Sequence, residues 1–235
     1  MKQIYLIPVP LSDSEYGRVF PDINRQIVKN IRIFFVENIR SARRFLRSVI
    51  DDSFPIDETE FYEINKHTRE EDWKYYQDVL VQNNLLGIIS ESGMPGIADP
   101  GAEVLQMAHR LNYKVIPLIG PSSVFLALAA SGLNGQRFRF VGYLSNKAEQ
   151  LRKEIPEIER ISRVRNETQI FIETPYRNMK LFEQLIKFLS PDTLLCVATD
   201  LTGQNEYIST KKVEEWRKTE NPSIHKVNTI FLILA

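Results

Sequence analysis

The apolar positions of this chain fall into short runs separated by segments of helical period. Ile4 to Ile7 is one run, ended by Pro8, and Arg32 to Val36, Leu86 to Ile89 and Val115 to Leu118 are three more. Runs this short, bounded by turn residues, have the length of buried strands. Between them, residues 38–50 place Ile39, Ala42, Leu46, Val49 and Ile50 on one stripe and Arg40, Arg43, Arg44 and Arg47 on the opposite one, which predicts an amphipathic helix. Thr68 and Glu71 have the spacing of a capping box and predict a second helix, with Trp73, Tyr76 and Leu80 facing inward. A third helix is predicted at Asp99-Pro100, a carboxylate followed by proline, and a fourth from Gly120-Pro121 through FLALAASG to Gly132. Strands alternating with helices predict an α/β fold with a largely parallel sheet.

The rhythm changes in the second half. Phe138 to Tyr143 and Thr168 to Ile172 read as strands, 146–160 as a charged helix, and Pro175 to Leu189 as an amphipathic helix buried through Phe182, Leu185, Ile186 and Leu189. Leu194 to Ala198, Glu206 to Thr210 and Thr229 to Leu234 then follow as strands, a succession that implies a mixed sheet with hairpins. The expected organisation is two α/β domains, 1–118 and 119–235. No internal repeat or low-complexity tract interrupts them.

Composition narrows the class. Of 235 residues, 43% are hydrophobic and 26% charged, as in ordinary globular proteins. Lys and Arg number 30, as do Asp and Glu, so a nucleic-acid partner would need its positive charge gathered locally rather than spread over the surface. A single cysteine, Cys196, excludes a disulfide within the chain and a cysteine-based zinc site, and His67, His109 and His225 lack metal-ligand spacing. The first residues read as a strand rather than a secretory segment, and no apolar stretch has the length of a membrane span. The expected compartment is the cytoplasm, with no membrane partner.

Four segments combine turn residues with groups able to do chemistry. SESGMPGIADPG (90–101) follows a strand and precedes a helix, with three glycines that allow close approach to the backbone and with Glu91 and Asp99 as ligand contacts or caps. PLIGPSS (117–123) places Ser122 and Ser123 at a helix start, where they either hold a carboxylate or cap the helix. The arginines after VEN (36–38) form either a phosphate grip or a solvated face; their single sign and their place beyond a strand end favour the grip. In IETPYRN (172–178), Thr174 and Pro175 read as a helix start, which either directs Tyr176 and Arg177 outward as ligand contacts or simply caps the helix. A dinucleotide-binding fold is excluded, because the first strand runs into PVPLS without the glycines of a phosphate-binding turn.

The order PVP, VENIRSARR, SESGMPGIADPG, PLIGPSS, SGLNGQRFRFVGYL, IETPYRN and DLTGQNE resembles the ribosomal RNA small subunit methyltransferase I family, within the tetrapyrrole methylase superfamily, along nearly the whole chain. It departs from that family's usual Glu-Asp-Thr-Arg-Arg-Thr, Ser-Asp-Ala-Gly-Thr-Pro and Tyr-Glu-Ser-Pro-His-Arg segments coherently, as a distinct subfamily would. The resemblance implies a homodimer with S-adenosylmethionine folded into the cleft between two α/β domains. It implies cofactor contacts at Pro8, Gly93, Met94, Ile97, Ser122, Ser123 and Thr174. It places Arg40, Arg43, Arg44 and Arg177 toward the substrate, a ribosomal RNA or small ribosomal subunit methylated at a ribose 2′-hydroxyl. Glu37, Glu91 and Lys66 are the candidate bases. Two alternatives stay open: methylation of a precorrin-type tetrapyrrole, and a non-catalytic protein that binds the cofactor or RNA.

Overall fold

The computed structural model describes residues 1–12, 19–65, 68–98 and 100–235. Their contacts divide the chain into two units, Met1–Ser122 and Ser123–Ala235. The first unit carries strands β1 (Gln3–Ile7), β2 (Ile33–Val36), β3 (Glu60–Glu63), β4 (Leu85–Ile89) and β5 (Lys114–Pro117), all parallel, in the order β3-β2-β4-β1-β5. Helices α1 (Asp22–Val28), α2 (Ile39–Phe45), α3 (Glu70–Gln82) and α4 (Ala102–Arg110) connect them, and a π-helical turn over Leu46–Ile50 prolongs α2.

Strand period two explains how one sheet supports two cores. Successive side chains point to opposite faces, so Phe34 and Ile89 join Ile7, Val28, Phe45 and Leu46 under α1 and α2, while Phe35 and Ile88 join Ile4, Tyr76, Leu80 and Val104 under α3 and α4. The central strand β4 is so tightly flanked that a Cβ on Gly87 would lie 2.7 Å from both Ile7 Cδ1 and Phe34 Cδ1. Neighbouring strands in this sheet send their connections to opposite faces: the chain leaving β1 and β2 turns to the α1–α2 side, and the chain leaving β3 and β4 turns to the other. A crevice opens at the carboxyl ends of the strands beside such a switch.

The predicted elements of this half form, with three differences. Helix α3 starts at Glu70 rather than at Thr68: the Arg69 amide donates to Asp72 Oδ2 at 2.9 Å, and Thr68 Oγ1 instead accepts from the Asn65 amide at 2.8 Å. Helix α4 starts after Gly101, whose φ of 131° no proline-initiated turn supplies, so Pro100 precedes the helix instead of opening it. Strand β3 and helix α1 were not among the predicted elements. Glu60–Glu63 is a four-residue edge strand with charged ends, and Asp22–Val28 is seven residues long with Asn24 in its buried face.

The second unit carries α5 (Ser123–Ser131), β6 (Phe138–Tyr143), α6 (Ala148–Arg165), β7 (Thr168–Ile172), α7 (Asn178–Phe188), β8 (Leu194–Thr199), β9 (Tyr207–Lys212), α8 (Val213–Trp216) and β10 (Thr229–Leu234). The sheet order is β6-β7-β10-β8-β9, with β6 and β7 parallel and the other pairs antiparallel, the mixed sheet that the pattern predicts. Helix α6 runs past the predicted end at residue 160 to Arg165 and stops at Asn166, which takes the left-handed conformation with φ 49°. A 3-10 turn over Pro175–Arg177 leads into α7. Phe171, Phe182, Leu185, Trp216 and Phe231 fill the core. The buried Glu159 accepts from the Ser190 amide and from the hydroxyls of Ser190 and Thr193, which satisfies its carboxylate.

Candidate active site at the carboxyl edge of the first sheet

Because the first sheet is parallel, the loops after β1, β2, β4 and β5 leave from one edge. Three of them interlock. Val9 and Gly93 exchange both backbone hydrogen bonds at 2.8 Å, and Ser90 Oγ donates to Gly93 O at 2.7 Å. Gly93 has φ +76°, and a Cβ there would sit 3.1 Å from Leu11 Cδ2. The third loop closes on the first at Gly120, where a Cβ would lie 2.2 Å from Pro8 Cγ, so only glycine lets the two chains meet. Helix α1 secures that loop through Asn24 Nδ2, which donates to Ile119 O at 2.7 Å.

The sequence-derived cofactor residues of this unit fall on these loops. Pro8 is buried against Gly120, Gly93 is buried in its bridge to Val9, Met94 is half-buried, Ile97 is exposed, and Ser122 ends the unit. Positive φ at Gly93, Gly96, Ala98 and Gly101 turns the second loop repeatedly, exposing backbone polar groups that a helix or strand would consume. Exposed Ile97 and Ile119 add apolar surface. Side-chain-free backbone beside apolar patches fits a ligand with an aromatic base, hydroxyls and a charged tail, as S-adenosylmethionine is. Ser123 opens α5 and Thr174 follows β7, both in the second unit. Thr174 is exposed, and its amide donates to Glu173 Oε1 at 2.6 Å.

Beside β4, strand β2 ends at Glu37 and Asn38. Asn38 Oδ1 accepts from the amides of Arg40 at 2.9 Å and Ser41 at 3.2 Å, the cap that starts α2. Ser41 Oγ donates to Glu91 Oε1, which ties the first turn of α2 to the loop after β4. Glu37 and Glu91 thus end adjacent strands. Burial, together with the negative charge of Glu91, raises the Glu37 carboxyl from its ordinary value. No ion pair to Glu37 exists among the described residues. Arg40, Arg43 and Arg44 project to solvent from α2, and the Arg43 guanidinium lies 5.3 Å over the Phe61 ring.

The structure therefore gathers Glu37, Glu91 and the α2 arginines at one edge with the interlocked loops. Lys66, His67 and Asp99 lie outside the described residues. Arg177 belongs to the second unit, where its Nη2 sits 2.5 Å from the buried Glu173 carboxylate. Sequence reasoning missed Ser41 and Glu173. Ser41 meets Glu91 across 50 positions and so leaves no local signal, and Glu173 carries none beyond its place at a strand end. Among the described residues, no cluster of His, Cys, Asp and Glu is arranged to hold a metal ion, and no helix is long and apolar enough to cross a membrane.

Comparison with known proteins bears on the family and the fold. The family model for tetrapyrrole (corrin/porphyrin) methylases matches residues 25–216. The chain is 28% identical over 237 residues to the ribosomal RNA small subunit methyltransferase I of Buchnera aphidicola (subsp. Schizaphis graminum), covering 98% of this chain and 77% of that protein. It is 27% identical to the proteins of the same name from Vibrio cholerae and Bacillus subtilis, covering 87% and 86% of this chain and 67% and 65% of theirs. The crystal structure of the methyltransferase CobJ superposes with a TM-score of 0.63 at 14% identity, over 100% of this chain and 94% of that one. A uroporphyrin-III-C-methyltransferase from Thermus thermophilus gives 0.52 at 13% identity, over 99% and 92%. At such identities the two structures speak to the fold alone. With the family model spanning most of its length and its strand-end loops built as described, the chain belongs to the tetrapyrrole methylase family and is an S-adenosylmethionine-dependent methyltransferase.

Proposed function

We propose that this enzyme methylates a ribose 2′-hydroxyl of small-subunit ribosomal RNA. The observation that carries the reading is the placement of an exposed all-arginine helix face beside the Glu37–Glu91 pair, at one sheet edge. Phosphates suit the arginines, and a carboxylate whose affinity for a proton is raised by burial suits a base that must accept a proton from a weakly acidic hydroxyl.

When bound, S-adenosylmethionine supplies an electrophilic methyl group on a sulfonium. The chain's own contribution is to align and deprotonate. The loops at Pro8, Gly93, Met94, Ile97, Ser122, Ser123 and Thr174 hold the cofactor, and Arg40, Arg43, Arg44 and Arg177 hold the RNA backbone. Glu37 takes the hydroxyl proton as the oxygen attacks. Glu91, fixed by Ser41, keeps the Glu37 carboxyl raised. Alignment of reacting atoms contributes up to about 7–11 kcal/mol in model systems, and a positioned base roughly 10²–10⁴-fold. The names of the relatives support the RNA assignment, and the zero net charge accords with positive charge concentrated locally.

The test is transfer of labelled methyl from S-adenosylmethionine to small ribosomal subunits from a strain lacking this enzyme. Label in an alkali-resistant dinucleotide of the RNA is the expected result, since a 2′-O-methyl blocks hydrolysis at the next phosphate. Label on precorrin-type tetrapyrroles instead, or cofactor binding with no transfer to either, would overturn it.

A further inference from the structure

The second unit contains a groove of about 240 Å³ between the first turns of α6 and α7. Leu151 and Leu181 form its apolar floor, and Arg152, Arg177, Lys180 and Glu173 line it. The two helices follow the parallel neighbours β6 and β7, so both helix N-termini open onto the same end of that pair. Each is long enough to carry a dipole, at 18 and 11 residues.

The charges are not balanced. Glu173, its side chain only 3% exposed, is committed to Arg177 at 2.5 Å and to the Thr174 amide at 2.6 Å. Arg152 and Lys180 have no ion-pair partner among the described residues. The nearby acids on α6 are engaged elsewhere: Glu149 with Lys153 at 3.4 Å, and Glu154 with the Ser145 amide at 2.7 Å. A guanidinium held in place by a buried carboxylate, two free cations and two helix N-termini converge on one small space. Its volume falls below the ~300–1,000 Å³ of pockets for whole organic ligands, so it suits a single tetrahedral anion rather than a macrocycle or a nucleoside.

We propose that this groove is a phosphate-binding site that grips one backbone phosphate of the RNA through Arg152, Arg177 and Lys180. The proposal rests on the reading of RNA as the substrate. A site of this kind fixes the register of a strand without reading its sequence, a task distinct from that of the residues at the first sheet's edge.

The experiment is a salt titration of binding to a small-subunit ribosomal RNA fragment by the full chain and by its Arg152→Ala/Lys180→Ala variant, with cofactor affinity measured alongside. The double variant should bind RNA on the order of tenfold more weakly and lower the slope of log K against log salt by about one. Its cofactor affinity should stay unchanged. Arg152→Lys should restore part of the slope, and Lys187→Ala, in the last turn of α7 and outside the groove, should leave it alone. An unaltered slope in the double variant, an equal loss in Lys187→Ala, or concurrent loss of cofactor binding would each overturn the groove as a phosphate site. Failure of the unmodified chain to bind the RNA at any salt would instead overturn the substrate reading on which it rests.

Discussion

At the scale of single residues, the first sheet's edge depends on a pair of like charges. Glu37 and Glu91 end neighbouring strands, and desolvation adds to their repulsion to raise the Glu37 carboxyl from its ordinary value near 4.5. Because the folded value is raised, folding favours the protonated form, and this contribution to stability is lost as pH rises through that value. A carboxylate kept for stability alone would be better paired, so the arrangement suits a base. The acid limb of kcat/KM should report the raised value. Glu91→Gln retains an acceptor for Ser41 and removes the negative charge, so the limb should move to lower pH. A profile that does not move would rule out Glu91 as the group that tunes the base. Of this geometry, the sequence supplies the two glutamates at strand ends. It does not supply Ser41 as the link between α2 and Glu91, because a hydrogen bond across 50 positions leaves no local pattern.

At the scale of elements, α2 carries the arginines of the proposed substrate grip beside the proposed base. Asn38 caps it, Ala42, Phe45 and Leu46 bury it, and Arg40, Arg43 and Arg44 face solvent. Replacing Arg43 and Arg44 with Ala should flatten the salt dependence of RNA binding by about one to two in slope with cofactor affinity retained; an unchanged slope would leave the face merely solvated. This helix was legible from sequence because its apolar stripe and its charged stripe agree in period. Strand β3 was not, since Glu60–Glu63 lies at the sheet margin with polar ends and gains its strand character from pairing with β2 rather than from its own pattern. The start of α4 differs for a related reason: Asp-Pro is a strong local signal, but the positive φ of Gly101 delays the first helical residue from Pro100 to Ala102. Similarly, Arg152 and Lys180 are separated by a strand and a loop, and only the parallel pairing of β6 and β7 brings their helices side by side.

At the scale of the whole molecule, zero net charge and loops built from backbone rather than charge point to a cofactor site that works independently of RNA. A ligand that binds only the folded chain stabilises it by RT ln(1 + [L]/Kd), about 2.7 kcal/mol at a hundredfold excess over Kd. For a chain of this size, 1 kcal/mol corresponds to roughly 2–4 °C in Tm, so saturating S-adenosylmethionine should raise Tm by about 5–10 °C, with no RNA present. S-adenosylhomocysteine should do the same, because the adenosine and amino-acid parts that the loops are proposed to hold are common to both. Salt should leave this shift largely intact while it erodes RNA binding, because the two ligands use different physics. The measurement is thermal unfolding followed by circular dichroism across a series of cofactor and salt concentrations. A shift that appears only when RNA is added would place the cofactor pocket under control of the substrate, and the preformed loops around Gly93 and Gly120 would then not be the site that holds it.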